Sequence, residues 1–302
     1  MEKVQFMTSN FVSAAGVWAI IVVWMFGTFS AGVHAQTPPN PNRNMMESPD
    51  ELAATMGPKV ATYEKAAKEG NVAAMYYLAV CYASGAGVEK DPAKAFEWCA
   101  KAAEKGHAGA QNNLGMSYQT GFGVDKDPVK AFAWFRKAAE QKYAAAQYNL
   151  GRCYANGTGV EKDAAQAIEW FRKSAGQGYA EAQCALGNVY YTGVGVEKDV
   201  QKAVEWFHKS AGQGYAIAQY NLGWCYANGV GVKKDAVKAF EWCRKSAEQG
   251  HRDAQYQLGH CYRTGDGVDK DAAQAVEWFR KSAEQGHEQA REQLKQMQKD
   301  AS

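Results

Sequence analysis

The sequence predicts an all-α protein, a solenoid of 36-residue helix-turn-helix repeats. Two observations carry that prediction. Shifted by 36 positions the chain falls on itself: Trp98, Trp134, Trp170, Trp206, Trp242 and Trp278 are in phase, as are Leu78, Leu114, Leu150, Leu186, Leu222, Leu258 and Leu294 and the tyrosines from Tyr82 to Tyr262. Within each unit, two stretches of helical apolar spacing flank a loop of the form GxGVxKD. Six complete units run from 72 to 287, with a half-repeat helix over 58–71 before them and a polar capping helix over 288–302 after them.

One unit shows how local chemistry sets the elements. In AAAQYNLGRCYA (144–155), Ala146, Leu150 and Tyr154 share one helical face. Gly157 accepts the left-handed conformation that stops a helix, and Gly159 lets the chain reverse. Asp163 caps the second helix by accepting from its free N–H groups. Pro92 and Pro128 stand at the first helical position of two units, where a missing N–H costs nothing. Ala167, Trp170 and Ala175 are the expected buried stripe of the second helix, and Glu169 with Lys173 an exposed i,i+4 pair that recurs in four other units. Neither helix buries its apolar face alone; stacking does.

The N-terminus reads differently. An uncharged stretch, FVSAAGVWAIIVVWMFGTFSAGV (11–33), follows Lys3 and leads into VHA and QTPP. A signal peptide over 1–35, cleaved after Ala35, is expected, with a periplasmic or secreted product. The alternative is an uncleaved membrane anchor, since the run is long enough to span a bilayer. Residues 36–57, carrying Pro38, Pro39, Pro41 and Pro49, read as a flexible linker. A formal net charge of +2 on 302 residues, with basic residues spread evenly along the repeat, gives no footing for nucleic acid.

The recurring string AxAQxxLGxxYxxGxGVxKDxxKAxxWxxKAA resembles the Sel-1-like repeat, a relative of the tetratricopeptide repeat, over residues 62–294. The resemblance implies a right-handed α/α superhelix whose first helices line a concave groove that binds protein or extended peptide. Met75 in place of the first unit's Gln and Lys142 in place of an inter-unit Gly are mild departures. Some cysteine-rich members of the family have been linked to penicillin binding and β-lactam hydrolysis, which supplies the alternative function of a cell-envelope hydrolase. Their cysteine positions are Ala103 and Gln111 here, and no SxxK, SDN, KTG or GxSxG occurs, so no catalytic residue and no cofactor is expected.

What repeats serves folding, so candidate contacts lie where the repeat varies. Three such positions share a face of each first helix. They nominate Tyr148, Arg152, Tyr191, Tyr220, Trp224, Tyr256, His260 and Arg263, with aromatic faces for apolar anchoring and guanidinium groups for carboxylates. A neighbouring row, Asn113, Asn149 and Asn221, can donate to and accept from a peptide backbone, or can be an ordinary solvated helix position copied by duplication. Seven cysteines in an exported chain leave two readings open: bridges Cys81–Cys99 and Cys225–Cys243, or small apolar fillers. No zinc spacing is present.

Overall fold

The computed structural model describes residues 55–300. The expected signal segment (1–35), its anchor alternative and residues 36–54 of the expected linker lie outside them. The described residues form fourteen α-helices and one short 3₁₀ turn, with no strand among them, and consecutive helix pairs pack as a repeat solenoid. The chain divides into two compact units, Met1–Gln141 and Lys142–Ser302.

In the first unit a 3₁₀ turn (Gly57–Lys59) leads into α1 (Val60–Lys68), α2 (Val72–Ser84), α3 (Pro92–Glu104), α4 (Ala108–Thr120) and α5 (Pro128–Glu140). Met56 is buried in this unit's core beside Val60, so the fold begins inside the stretch expected to be linker. The second unit holds α6 (Ala144–Asn156), α7 (Ala164–Gly176), α8 (Ala180–Thr192), α9 (Val200–Gly212) and α10 (Ala216–Asn228). It continues with α11 (Ala236–Glu248), α12 (Arg252–Thr264), α13 (Ala272–Glu284) and α14 (Glu288–Asp300). No described helix is long and apolar enough to cross a membrane.

The ends of these helices follow the sequence. α6 stops at Gly157, which takes φ 73° and returns its N–H to Cys153 O. Asp163 Oδ1 accepts from Gln166 N at 3.0 Å to open α7. The second loop glycine has a further duty. A Cβ at Gly231 would collide with Val200 O at the start of α9, so this loop seats against the preceding repeat. First helices start in two ways. His107 and His251 accept the N–H of Ala110 and Ala254 on Nδ1, at 3.1 and 3.2 Å, whereas Tyr143, Tyr179 and Tyr215 in the same position make no side-chain cap.

The core corrects the expected stripe of the second helices. Ala167 and Ala175 are buried, but the buried aromatic of α7 is Phe171, and Trp170 beside it is only half-buried. Neighbours on a helix point about 100° apart, so one of the two faces the core and the other its edge. Leu150 and Phe207 are completely buried. The glycine after the first-helix leucine makes room for that ring: a Cβ at Gly151 would stand 2.7 Å from a Phe171 ring carbon. Lysine covers the half-buried tryptophan in all six repeats, for example Lys173 Nζ at 4.0 Å from the Trp170 ring. Of the expected Glu/Lys pairs, Glu97/Lys101, Glu169/Lys173 and Glu277/Lys281 close at 2.6 Å. Glu205/Lys209 and Glu241/Lys245 do not, although Lys209 and Lys245 lie over Trp206 and Trp242 as the other lysines lie over theirs.

Buried polar groups knit one repeat to the next. Gln177 donates to Gln147 at 2.7 Å, Gln213 to Gln183 at 2.8 Å and Gln249 to Gln219 at 2.7 Å. Gln183, Gln219 and Gln255 each donate in turn to a second-helix carbonyl. In the first unit Gln141 donates to Gln111 at 2.7 Å. Where Met75 replaces the glutamine, its partner position holds Lys105, and both halves of the pair are gone. The half-unit that follows α13 ends the stack through Ala290, completely buried, with Leu294 and Met297 packed against the same core.

Candidate binding face of the first helices

In the first unit, the varied face contains Tyr76, which is buried and stacked on His107 at 4.5 Å. Asn112 is buried too and donates to Asn113, which is half-buried. Its other varied positions, Val80, Ala83, Met116 and Gln119, are half-buried and carry neither an aromatic ring nor a charge.

The second unit is richer. On α6, Tyr148 is half-buried, 5.6 Å from the Tyr179 ring and 5.8 Å from Phe171, with the Arg152 guanidinium 5.7 Å from its centre. On α8 and α10, the rings of Tyr191 and Trp224 meet edge to face at 5.8 Å and 90°, and Lys198 Nζ stands 5.3 Å from the centre of the Tyr191 ring. Both rings are half-buried against the core of α9 and α10. On α12, Tyr256 stacks on His287 at 4.4 Å and 15°, His260 is half-buried and Arg263 is exposed. Asn149 is half-buried. The structure thus brings Tyr148 together with Arg152, and Tyr191 with Trp224.

Two nominated residues are corrected. Tyr220 is only 6% exposed, stacked on His251 at 4.9 Å, and cannot present its face to a ligand. Asn221 is 3% exposed, and its amide donates to Asn188 Oδ1 at 3.3 Å. Sequence position alone hid this, because Asn149, in the same register, remains half-buried. The amide row is therefore no continuous peptide rail in this unit.

Of the two cysteine readings, the bridges are not formed in the structure. Cys81, Cys99, Cys225 and Cys243 are all free thiols. Cys99 Sγ instead donates to Ala110 O and Cys243 Sγ to Ala254 O, each at 3.2 Å, in the space that phenylalanine fills in the other four repeats. Burial pushes the thiols up, Cys81 and Cys153 to about 11 and Cys99, Cys184 and Cys225 to about 12, so none is a ready thiolate nucleophile. His107, His251 and His287 are held below the usual imidazole range, first by burial. Their Nδ1 atoms are occupied as helix-cap acceptors, which leaves them no base to offer. Among the described residues no cluster of three His, Cys, Asp or Glu side chains could hold a metal ion.

Sequence reasoning passed over the residues at the mouths of the first helices. Glu181 and Asp253 occupy one register, where other repeats hold Ala73, Gly109, Ala145 and Ile217. Glu181 lies in the first turn of α8, the helix that Tyr179 opens, and burial holds its carboxyl above the usual range. Asp253 is bound by Arg252 Nε at 2.9 Å and faces His287 Nε2 at 3.8 Å. A carboxylate breaking an otherwise small or apolar register was the available signal.

An α/α repeat scaffold with a varied first-helix face is thereby defined. The Sel1 repeat model matches all six units, 72–107, 108–143, 144–179, 180–215, 216–251 and 252–287. The chain belongs to the Sel1 repeat family. Among solved structures it is similar to c5321, a protective antigen of uropathogenic Escherichia coli with an SLR fold (39% identity, TM-score 0.62, covering 82% of this chain). The chain spans only 56% of that antigen's length. A Sel1 repeat protein from Oxalobacter formigenes is 34% identical, with TM-score 0.66 and coverage of 80% of this chain and 89% of that one. The immunity protein Pa5087 of Pseudomonas aeruginosa is 26% identical, with TM-score 0.51 and coverage of 71% and 82%. No curated protein matches the chain. Sel1 repeat proteins are generally non-catalytic scaffolds for protein–protein interaction.

Proposed function

We propose that the protein is an exported, non-catalytic scaffold that binds a protein or extended peptide through the first helices of its second unit. The pairing of Tyr191 with Trp224 carries this reading. The other repeats place Val80, Met116, Arg152, Asn188 and His260 at the tryptophan's position, so the fold does not require an indole there. A half-exposed aromatic pair, with Arg152 on the neighbouring Tyr148 and Arg263 exposed on α12, has the composition of a binding hot spot.

The test is capture from the cell-envelope fraction by the wild type and by the double variant Trp224→Ala/Arg152→Ala, followed by direct titration of the captured protein. An affinity loss of at least about 2 kcal/mol in the double variant, with the helical signal unchanged, is the expected result. Equal affinities would end the reading.

A further inference from the structure

The second unit also holds a cleft that the varied face does not include. It lies between α7, α8 and the loop before α9, has a volume of about 340 Å³, and is lined by Arg172, Tyr190, Lys198 and Lys202 among others. Arg172 Nη2 donates to Tyr190 Oη at 3.2 Å. That bond uses one N–H of an exposed guanidinium, whose other donors stand beside the tyrosine's own O–H.

Two other repeats give the arginine at this place a counter-charge. Arg136 pairs with Glu140 at 3.3 Å and Arg244 with Glu248 at 3.7 Å, each one turn along its own helix. On α7 that place holds Gly176, and Arg172 makes no ion pair among the described residues. Lys198 makes none either; its Nζ stands over the Tyr191 ring, which joins the cleft to the Tyr191–Trp224 pair. Two carboxylates line the same cleft. Asp199 is taken by Lys202, whose Nζ it meets at 2.8 Å and whose N–H it caps. Glu197 is exposed and closes on no cation among the described residues.

The first unit has a sister cleft, of about 370 Å³, lined by Tyr82 in the register of Tyr190. There Tyr82 donates its hydroxyl to Glu64 Oε1 at 3.3 Å, and Glu64 stands in the register of Arg172. A carboxylate within the chain thus receives the tyrosine hydroxyl in one unit. In the other an arginine replaces it, and the carboxylate is left to a ligand.

We propose that Arg172, Tyr190 and Lys198 hold a carboxylate side chain of the bound partner, so that the partner segment is acidic next to the residue it seats on Tyr191 and Trp224. A guanidinium fork and a neighbouring phenol O–H suit the planar carboxylate. The site deepens the binding-face reading and rests on it.

Saturation-transfer NMR on the full chain tests it with Nα-acetyl-glutamate methylamide and its uncharged counterpart, Nα-acetyl-glutamine methylamide, at constant ionic strength. Saturable binding of the glutamate probe, with none of the glutamine probe, is expected. Arg172→Ala should weaken the glutamate probe roughly tenfold. Tyr190→Phe should weaken it roughly threefold, and Glu197→Gln should tighten it roughly twofold. Equal binding of the two probes, failure of the glutamate probe, or indifference to Arg172→Ala would overturn the site. Displacement of the glutamate probe by inorganic phosphate at concentrations where acetate has no effect would overturn its assignment to a carboxylate. If the glutamate probe fails while Trp224→Ala/Arg152→Ala still loses the captured protein, the cleft alone falls and the binding-face reading stands.

Discussion

The second helices and the first helices of this chain are under different constraints. Every second helix opens with a capping aspartate, buries Phe or Cys and lays a lysine on a half-buried tryptophan. The first helices share their leucine and their buried alanines, yet at the varied positions they range from Tyr148 to Cys184 and from Trp224 to Arg152. The difference teaches that the repeat needs its second helices uniform for stacking and tolerates individuality along one face of the first, where a ligand could select it.

Substitutions can break that comparison in order of size. Phe207 is completely buried against Gly187, and Phe207→Ala should cost about 3–5 kcal/mol in urea unfolding, since the glycine beside it cannot fill the cavity. A loss below about 1 kcal/mol would mean that the repeats stack loosely. Gln219→Ala removes the acceptor of Gln249 and the donor to Ala211 O, and should cost about 1–3 kcal/mol by the same measurement.

A smaller effect concerns the caps of the first helices. His251 accepts an N–H on Nδ1 and is held low mainly by burial; Asp253 raises it and Arg252 lowers it. A folded value below the ordinary one means that the unfolded chain takes up the proton first. The contribution is therefore full above about pH 6.5 and declines as pH falls through the folded value. Urea midpoints measured across that window should drop toward acid in the wild type, and less steeply in His251→Tyr, which carries the residue found at Tyr215. Parallel profiles would show that the cap does not titrate with folding. Smallest of all, Arg263→Ala on the exposed end of α12 should shift stability by no more than about 0.5 kcal/mol.

Much of the fold could be read directly from the sequence, because a strict period states which residues are equivalent and Gly, Asp and Pro announce where helices end. Depth was harder to read. Trp170 and Phe171 are adjacent, both large and both repeated, and only the helix's rotation against its neighbours decides that the phenylalanine goes inside. The glutamine pairs join residues in different helices of successive repeats, so no local pattern reveals them, although Met75 and Lys105 lapse together. At the candidate face, variation found Trp224 and Tyr191 but not the burial of Tyr220 and Asn221. Their depth depends on His251 and Asn188 across the stack rather than on their own position in the repeat. Glu181 escaped notice because it lies at the helix mouth, away from the stripe that helical spacing picks out.

The most direct test of the division between architecture and recognition is the affinity of the captured protein for two variants at matched folded fraction. Trp224→Ala/Arg152→Ala should bind at least about thirtyfold more weakly than wild type. Gln219→Ala, less stable but unaltered on its face, should bind as wild type does. Equal affinities for all three, or a loss confined to Gln219→Ala, would contradict the account.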